Sequence, residues 1–410
     1  MTVLLPFTPV DELGCYVDSA AEPNSIHLEA LVDGHLDPAR LRAAVLATLA
    51  AHPLARARRA RWHGWHRRFT WEIGDVPEVA PLDEVRWRTE EELAGHRESL
   101  LAATPPLNLG PPLRFRHAVG PDRDVLILNV HHAAMDGMSC LRLLRSVARR
   151  YAGLPDPSVA DLAVRTVAAE SGTNTNRYPR QATRIVADTA DPGPGCGFHL
   201  VSAPINVHSG SKATVNDVLI AALVLAVEAW NQKHGRDAGP VRITMPVNAR
   251  ATPGAEEPLG NLSRLTVITS TPAHSLADIT RQTAAAKLLG GPQIDAASRM
   301  FATPWLPVAV KARLLTVARR LTSVGDTSML SNLGQVESVH FGPDAPIVNL
   351  WFSPPVRLPA GLAVGVVTLD GRLNLCFRYR HALLDPRTAT QFAETFRAAL
   401  DSLDDPRLSR

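Results

Sequence analysis

Two adjacent histidines, His131 and His132, are followed closely by the pair Asp136-Gly137. An imidazole titrates near neutral pH, so it can take a proton at one step and return it at another. Successive side chains at the end of a strand point to opposite sides. One histidine can therefore face reacting groups while the other serves the structure. Asp136 suits a helix start, where a carboxylate caps free amides and meets the positive end of the dipole. There it can orient the turn or pair with a distant cation. Gly137 permits a close backbone approach or an unusual dihedral. A metal site made of His131, His132 and Asp136 is disfavoured. The adjacent histidines diverge, and no cysteine or further histidine at useful spacing completes a shell.

These residues need two rigid elements to hold them, and the flanking sequence supplies both. The apolar run 125–130 predicts a buried strand. Leu141, Leu144, Val147, Ala148 and Tyr151 recur at helical spacing after it. The seven residues 131–137 form the connection, where catalytic groups are often held. Cys140 lies near enough to be a nucleophile, but a small buried residue on the following helix is the simpler reading.

The pattern HHxxxDG between a buried strand and a helix resembles the signature of the CoA-dependent acyltransferase superfamily. That superfamily includes chloramphenicol acetyltransferase, condensation domains of nonribosomal peptide synthetases, polyketide-associated acyltransferases and wax ester synthases. Other stretches carry the same resemblance. A strand over 25–32 leads to a helix from Asp37-Pro38 to about Ala51, and His52-Pro53-Leu54-Ala55-Arg56 closes it, as at the opening of condensation domains. Pro111-Pro112 leads into strands 113–119 and 124–130, joined by a turn at Gly120-Pro121-Asp122. In the second half, a strand over 241–247 ends in Pro246-Val247-Asn248-Ala249-Arg250, resembling PVNxR. Leu259-Gly260-Asn261-Leu262 resembles the GN stretch. Ser331-Asn332-Leu333-Gly334 ends a strand and resembles SNxG, found where the two halves meet.

Further elements follow from local chemistry. Thr89 to Glu92 reads as a capping box that opens a helix to about Ala103. Pro192-Gly193-Pro194-Gly195 is the clearest break in the linker, followed by a strand over 200–207. Thr214 caps a helix to about Lys233, apolar nearly all round and hence buried. Helices are expected over 275–289 and 304–321. Strands are expected over 348–352 and over 362–369. Asp370-Gly371 turns a hairpin into 373–379. Asp385-Pro386 starts the last helix. The basic stretch 56–68, with Trp62 and Trp65 interleaved, reads first as an exposed strand pair with a solvated arginine face. A docking patch for an acidic carrier protein or for nucleotide phosphates is the other reading.

The resemblance implies an α/β fold of two chloramphenicol-acetyltransferase-like subdomains with mixed sheets, arranged as a V around a channel at the seam. Residues 1–152 form the N-terminal subdomain with the motif, 153–198 a linker and 199–410 the C-terminal subdomain. His132 then lies in mid-channel as general base, and His131 is structural. Asp136 holds the turn by pairing with an arginine of the second subdomain, for which Arg250 is the candidate. Gly137, Ser331 and Asn332 support the site. The implied reaction moves an acyl group from a phosphopantetheine thioester, on CoA or an acyl or peptidyl carrier protein, to a hydroxyl or amine of a small-molecule acceptor. A thiolate leaves easily, so positioning and one base suffice without a covalent intermediate. No permanently bound cofactor or metal is expected. Hydrolysis needs only water in the acceptor's place. The rival class is a non-catalytic member that recruits a carrier protein.

Composition bounds these readings. A chain of 410 residues is long enough for two domains. A hydrophobic share of 45% and a charged share of 20% suit a soluble globular protein. A net charge of +3 argues against a dedicated nucleic-acid binder. No apolar run spans a bilayer, and the first residues lack the basic start of a signal peptide. Cys15, Cys140, Cys196 and Cys376 form no CxxC. Free thiols, a cytoplasmic location and a monomer are expected. The chain carries no adenylation or carrier module, so it is expected to act in trans in secondary metabolism.

Overall fold

The computed structural model describes residues 2–156, 182–204, 213–237, 239–250, 258–271, 273–288, 305–321, 325–337 and 339–403, over 316–321 the backbone alone. The first half runs β1 (Val3–Pro6), α1 (Pro9–Tyr16), β2 (Ser25–Asp33), α2 (Pro38–Ala51), β3 (Ala57–Arg59) and β4 (Thr70–Ile73). It continues through β5 (Leu82–Arg86), α3 (Glu90–Leu101), β6 (Leu113–Val119), β7 (Arg123–His131) and α4 (Gly137–Tyr151). The second half runs β8 (Cys196–Pro204), α5 (Val215–Lys233), β9 (Val241–Asn248), β10 (Ser263–Ser270), α6 (Leu276–Leu288) and α7 (Val308–Leu321). It ends with β11 (Ser328–Val336), β12 (Ile347–Ser353), β13 (Leu362–Leu369), β14 (Arg372–Arg380) and α8 (Pro386–Leu403).

Two mixed sheets organise these elements. One has the order β12-β2-β7-β6-β5, and the other β10-β9-β11-β13-β14-β8; β1, β4 and β3 form a small third sheet. In the first, only β5 and β6 run parallel. In the second, β11 runs parallel to both neighbours. β7 shows why a continuous apolar run was required. Leu126, Leu128 and Val130 join the core beneath α2 and α4, whereas Val125 and Ile127 pack with Trp87, Leu93 and Leu100 beneath α3. Both faces are covered, so both are mainly apolar.

β12 comes from the second half yet pairs antiparallel with β2, so it extends the sheet that the first half builds. The chain then returns to β13 in the other sheet. At this crossing β13 carries Gly365, where any side chain would run into the Phe352 carbonyl. The two sheets are thus stitched by continuous chain, and the stitch needs a glycine.

Several expected details differ. The stretch 56–68 is not a strand pair: β3 is its one strand among the described residues, and a loop carries the rest. Thr89 caps α3 by accepting from the Glu92 amide at 3.3 Å, but the Glu92 carboxylate takes the Arg88 amide instead, so the box is half formed. β8 begins at Cys196, directly after the Pro-Gly break. Ser331-Asn332-Leu333-Gly334 lies inside β11, not at its end, because the strand bulges between Asn332 and Gln335 and continues. Asp370 (φ 46°) and Gly371 (φ 73°) make the expected hairpin turn. Most of the expected linker, together with expected ends at 205–207, 289 and 304, lies outside the described residues. Among the described residues, no helix is long and apolar enough to cross a membrane.

Candidate active site

The two histidines part company as strand geometry demands. His131 is buried. Its Nδ1 accepts the Ala133 amide at 3.1 Å, so its proton sits on Nε2, which faces Asp18 Oδ2 at 3.4 Å. Asp18 also accepts the Asn24 amide at 2.8 Å and the Thr104 hydroxyl at 3.1 Å. Burial opposes charge on Asp18, but these bonds and His131 hold its carboxyl below the usual range.

His132 turns the other way. Its Nδ1 lies 3.0 Å from the Met135 carbonyl, which can only accept. The ring proton therefore sits on Nδ1, and the lone pair on Nε2 is left to the cavity that His132 lines. That cavity holds about 510 Å³. Its walls come from α1, the motif, β9, β10, β11 and the segment 352–363, so both halves build it. Burial depresses the His132 pKa, helped by the Arg357 cation; Asp136 and the Met135 carbonyl oppose this, and the net shift is downward. The imidazole is thus a neutral base at pH 7. A rate that depends on this base persists above its pKa and is lost as pH falls through it. The acid limb of kcat/KM should therefore lie below the ordinary histidine value of about 6.5. A pH–rate profile checks this; half-loss at or above that value would contradict the assignment.

Asp136 is the most heavily bonded side chain of the motif. It caps α4, accepting the Ser139 amide and hydroxyl at 3.0 Å each. Arg250 grips it with two parallel bonds of 2.9 and 2.8 Å. The Leu262 amide at 2.9 Å and the Ser263 hydroxyl at 3.0 Å complete six bonds. Burial penalises this carboxylate, but the Arg250 charge and the surrounding donors hold its pKa below the ordinary value. It is a poor proton acceptor and a good clamp. Arg250 also reaches Ser139 Oγ at 2.9 Å, and Gly260 donates its amide to the same oxygen at 3.0 Å.

The remaining expected residues fall around the same cavity. Gly137, Ser331 and Asn332 all line it. A Cβ on Gly137 would sit 2.7 Å from the Phe352 ring and 2.8 Å from Leu333. Gly137→Ala should therefore cost about 1–3 kcal/mol, read as a lower denaturation midpoint; an unchanged midpoint would mean that the seam gives way freely. Asn332 bonds Asn216 at 2.7 Å and accepts the Gly334 amide at 2.7 Å, fixing the bulge. Gly334 takes φ 80°, which favours glycine. Cys140 is fully buried, and burial pushes its thiol well above the ordinary range. It is no nucleophile.

Several residues that position the motif were not singled out from sequence. Asn261 Nδ2 donates to the Ala133 carbonyl at 2.9 Å and to Asp11 Oδ1 at 3.1 Å. The Asn24 carbonyl accepts the His132 amide at 2.9 Å. Gly14 of α1 lies so close that a Cβ would come within 2.9 Å of Ala133 Cα. Ser139 ties the clamp together. Of these, Asn261 alone carried a signal, as part of the GN stretch.

A stitched pair of mixed sheets is the fold that condensation domains take. Three of the solved structures that share it follow. A starter condensation domain of rhizomide synthetase RzmA, a variant in complex with C8-CoA, superposes with a TM-score of 0.67 at 14% identity, covering 98% of this chain and 95% of that one. The epimerization domain of the third module of tyrocidine synthetase B gives 0.62 at 14% identity, covering 100% and 99%. The condensation domain of the Monacolin K polyketide synthase MokA gives 0.60 at 10%, covering 98% of each. The chain belongs to the same family as the uncharacterized protein Rv2305 of Mycobacterium tuberculosis, with 31% identity over 443 residues, covering 98% of this chain and 100% of that protein. The uncharacterized protein MT2362 of the same species matches to the same extent. No protein-family model matches.

Proposed function

We propose that this protein is an acyltransferase that moves an acyl group from a phosphopantetheine thioester to a hydroxyl or amine acceptor, with His132 as general base. One observation carries the reading: His132 is fixed through Nδ1 and lines, with a lowered pKa, a cavity walled by both halves. The acceptor's oxygen or nitrogen attacks the thioester carbonyl carbon while Nε2 takes its proton. The tetrahedral adduct collapses, the carbon–sulfur bond breaks, and the thiolate recovers the proton from the imidazolium. The product is an ester or an amide and a free thiol.

The surroundings support this assignment. Val10, Leu13, Ile26, Leu265 and Phe352 give the cavity an apolar lining suited to an acyl chain. Asp136 and Arg250 neutralise one another and fix the turn that carries His132. His131 supports the turn from its other side. The rhizomide synthetase relative is described with an acyl-CoA, which favours CoA or a carrier-borne arm as donor here. In this reading the protein works as a monomer in the cytoplasm, takes its acyl group from CoA or a carrier protein, and holds no permanent cofactor. His131 and His132 are committed to different partners, so they do not share a metal.

Because attack is direct, the protein supplied with acyl thioester alone should show no covalent adduct by intact-mass spectrometry, while transfer proceeds once acceptor is added. A stoichiometric acyl adduct, on Cys140 or Ser139 for instance, would replace this mechanism by a covalent one.

A further inference from the structure

Two arginines of β14 lie deep between the sheets, and acyl transfer uses neither. Arg378 is 0% exposed and Arg380 4%. Elsewhere the chain matches buried guanidinium groups with carboxylates, Arg250 with Asp136 and Arg142 with Asp156. Among the described residues, neither Arg378 nor Arg380 is paired with a carboxylate, and the Nε of each has no hydrogen-bond partner. Arg378 Nη1 donates to the Ser25 carbonyl at 2.8 Å and to the Pro354 carbonyl at 3.3 Å. The Phe198 ring centre lies 5.9 Å from its guanidinium carbon. These contacts satisfy hydrogens but supply no negative charge.

The two side chains meet at one atom. Arg378 Nη2 lies 3.8 Å and Arg380 Nη1 3.9 Å from Cys196 Sγ, which accepts from both. The hydrogen of that thiol is then left to donate. The cluster therefore presents donors alone: two Nε–H groups and one S–H. It sits one layer behind the active cavity, since Cys196 packs on Val356, Ala363 and Met329, and all three line that cavity. Ser25, which Arg378 holds, pairs with His131 in the strand register. A buried ion carries a heavy desolvation cost that an opposite charge must offset. Burial also selects the partner: a doubly charged phosphate or sulfate loses far more hydration on entry than a small singly charged ion. Guanidinium, itself weakly hydrated, suits such an ion. We propose that Arg378 and Arg380 bind a small monovalent inorganic anion of the chloride type beside the Cys196 thiol, and that this ion neutralises the contact between β14, β2 and the crossing at Pro354.

Thermal melting of the full chain tests this, in sodium chloride against sodium gluconate at equal ionic strength. Gluconate is too bulky to reach a site this deeply buried. The melting point should rise with chloride along a saturable curve, by about 2–4 °C at ten times Kd, and should not respond to gluconate in that way. In Arg380→Met the chloride rise should vanish. In gluconate this variant should melt no lower than the parent, because it removes a buried charge that lacks a counter-ion there. Crystals of the parent grown with bromide should show an anomalous scattering peak beside the two guanidinium groups. None of these readouts uses catalysis, so they stand apart from the acyl-transfer reading. Equal melting of the parent in both salts, a chloride rise kept by Arg380→Met, a variant that melts well below the parent in gluconate, or no bromide at the site would overturn the proposal.

Discussion

His132→Ala is expected to lower kcat by about two to four orders of magnitude, the range for removal of a general base, while the protein still folds. The ring makes one side-chain bond, to the Met135 carbonyl, and faces the cavity, so its loss removes little packing. Circular dichroism and thermal melting should change little. His131→Ala should do the opposite. It deletes a buried ring bonded to Ala133 and paired with Asp18, leaving a largely buried carboxylate short of a partner, and so costs stability first. Near-normal transfer by the His132→Ala protein would remove the base from the mechanism.

The second large effect concerns the clamp. The Asp136 and Arg250 side chains are 4% and 1% exposed, and they hold one another by two short bonds. Deleting one partner strands a buried charge, so Asp136→Ala and Arg250→Ala should each cost about 3–5 kcal/mol. Each should also lower turnover, because the turn that aims His132 loses its anchor. The losses should not add: the second deletion removes the charge that the first one stranded, and a coupling of about 1–3 kcal/mol is expected. Denaturation of the two single variants and the double variant measures it. Additive losses would mean that the pair is energetically silent, and that Asp136 acts only as the cap of α4.

The same residues show what could be read from sequence. β7 and α4 were legible because both signals are local: an apolar run, then a capping aspartate before helical periodicity. The Asp136–Arg250 contact spans 114 residues, and no periodicity reaches that far; the family pattern alone suggested it. The stretch 331–334 reads as the end of a strand, whereas a glycine at positive φ lets β11 bulge and carry on. The pairing of β12 with β2 was illegible, since alternation describes a strand's faces and not its partner. Gly14 gave no signal, because the backbone it must clear belongs to the motif turn.

The most direct test of the central claim is single-turnover transfer from an acyl-pantetheine or acyl-CoA thioester to a panel of hydroxyl and amine acceptors. Released thiol and acylated acceptor are quantified together, for the parent and for His132→Ala. The account predicts equal amounts of thiol and acylated product from the parent with at least one acceptor class, and neither at a comparable rate from the variant. Thiol release without acylated product would mean hydrolysis. No thioester consumption with any acceptor, while the chain still retained a carrier protein, would contradict the account and leave a protein that recruits without catalysing.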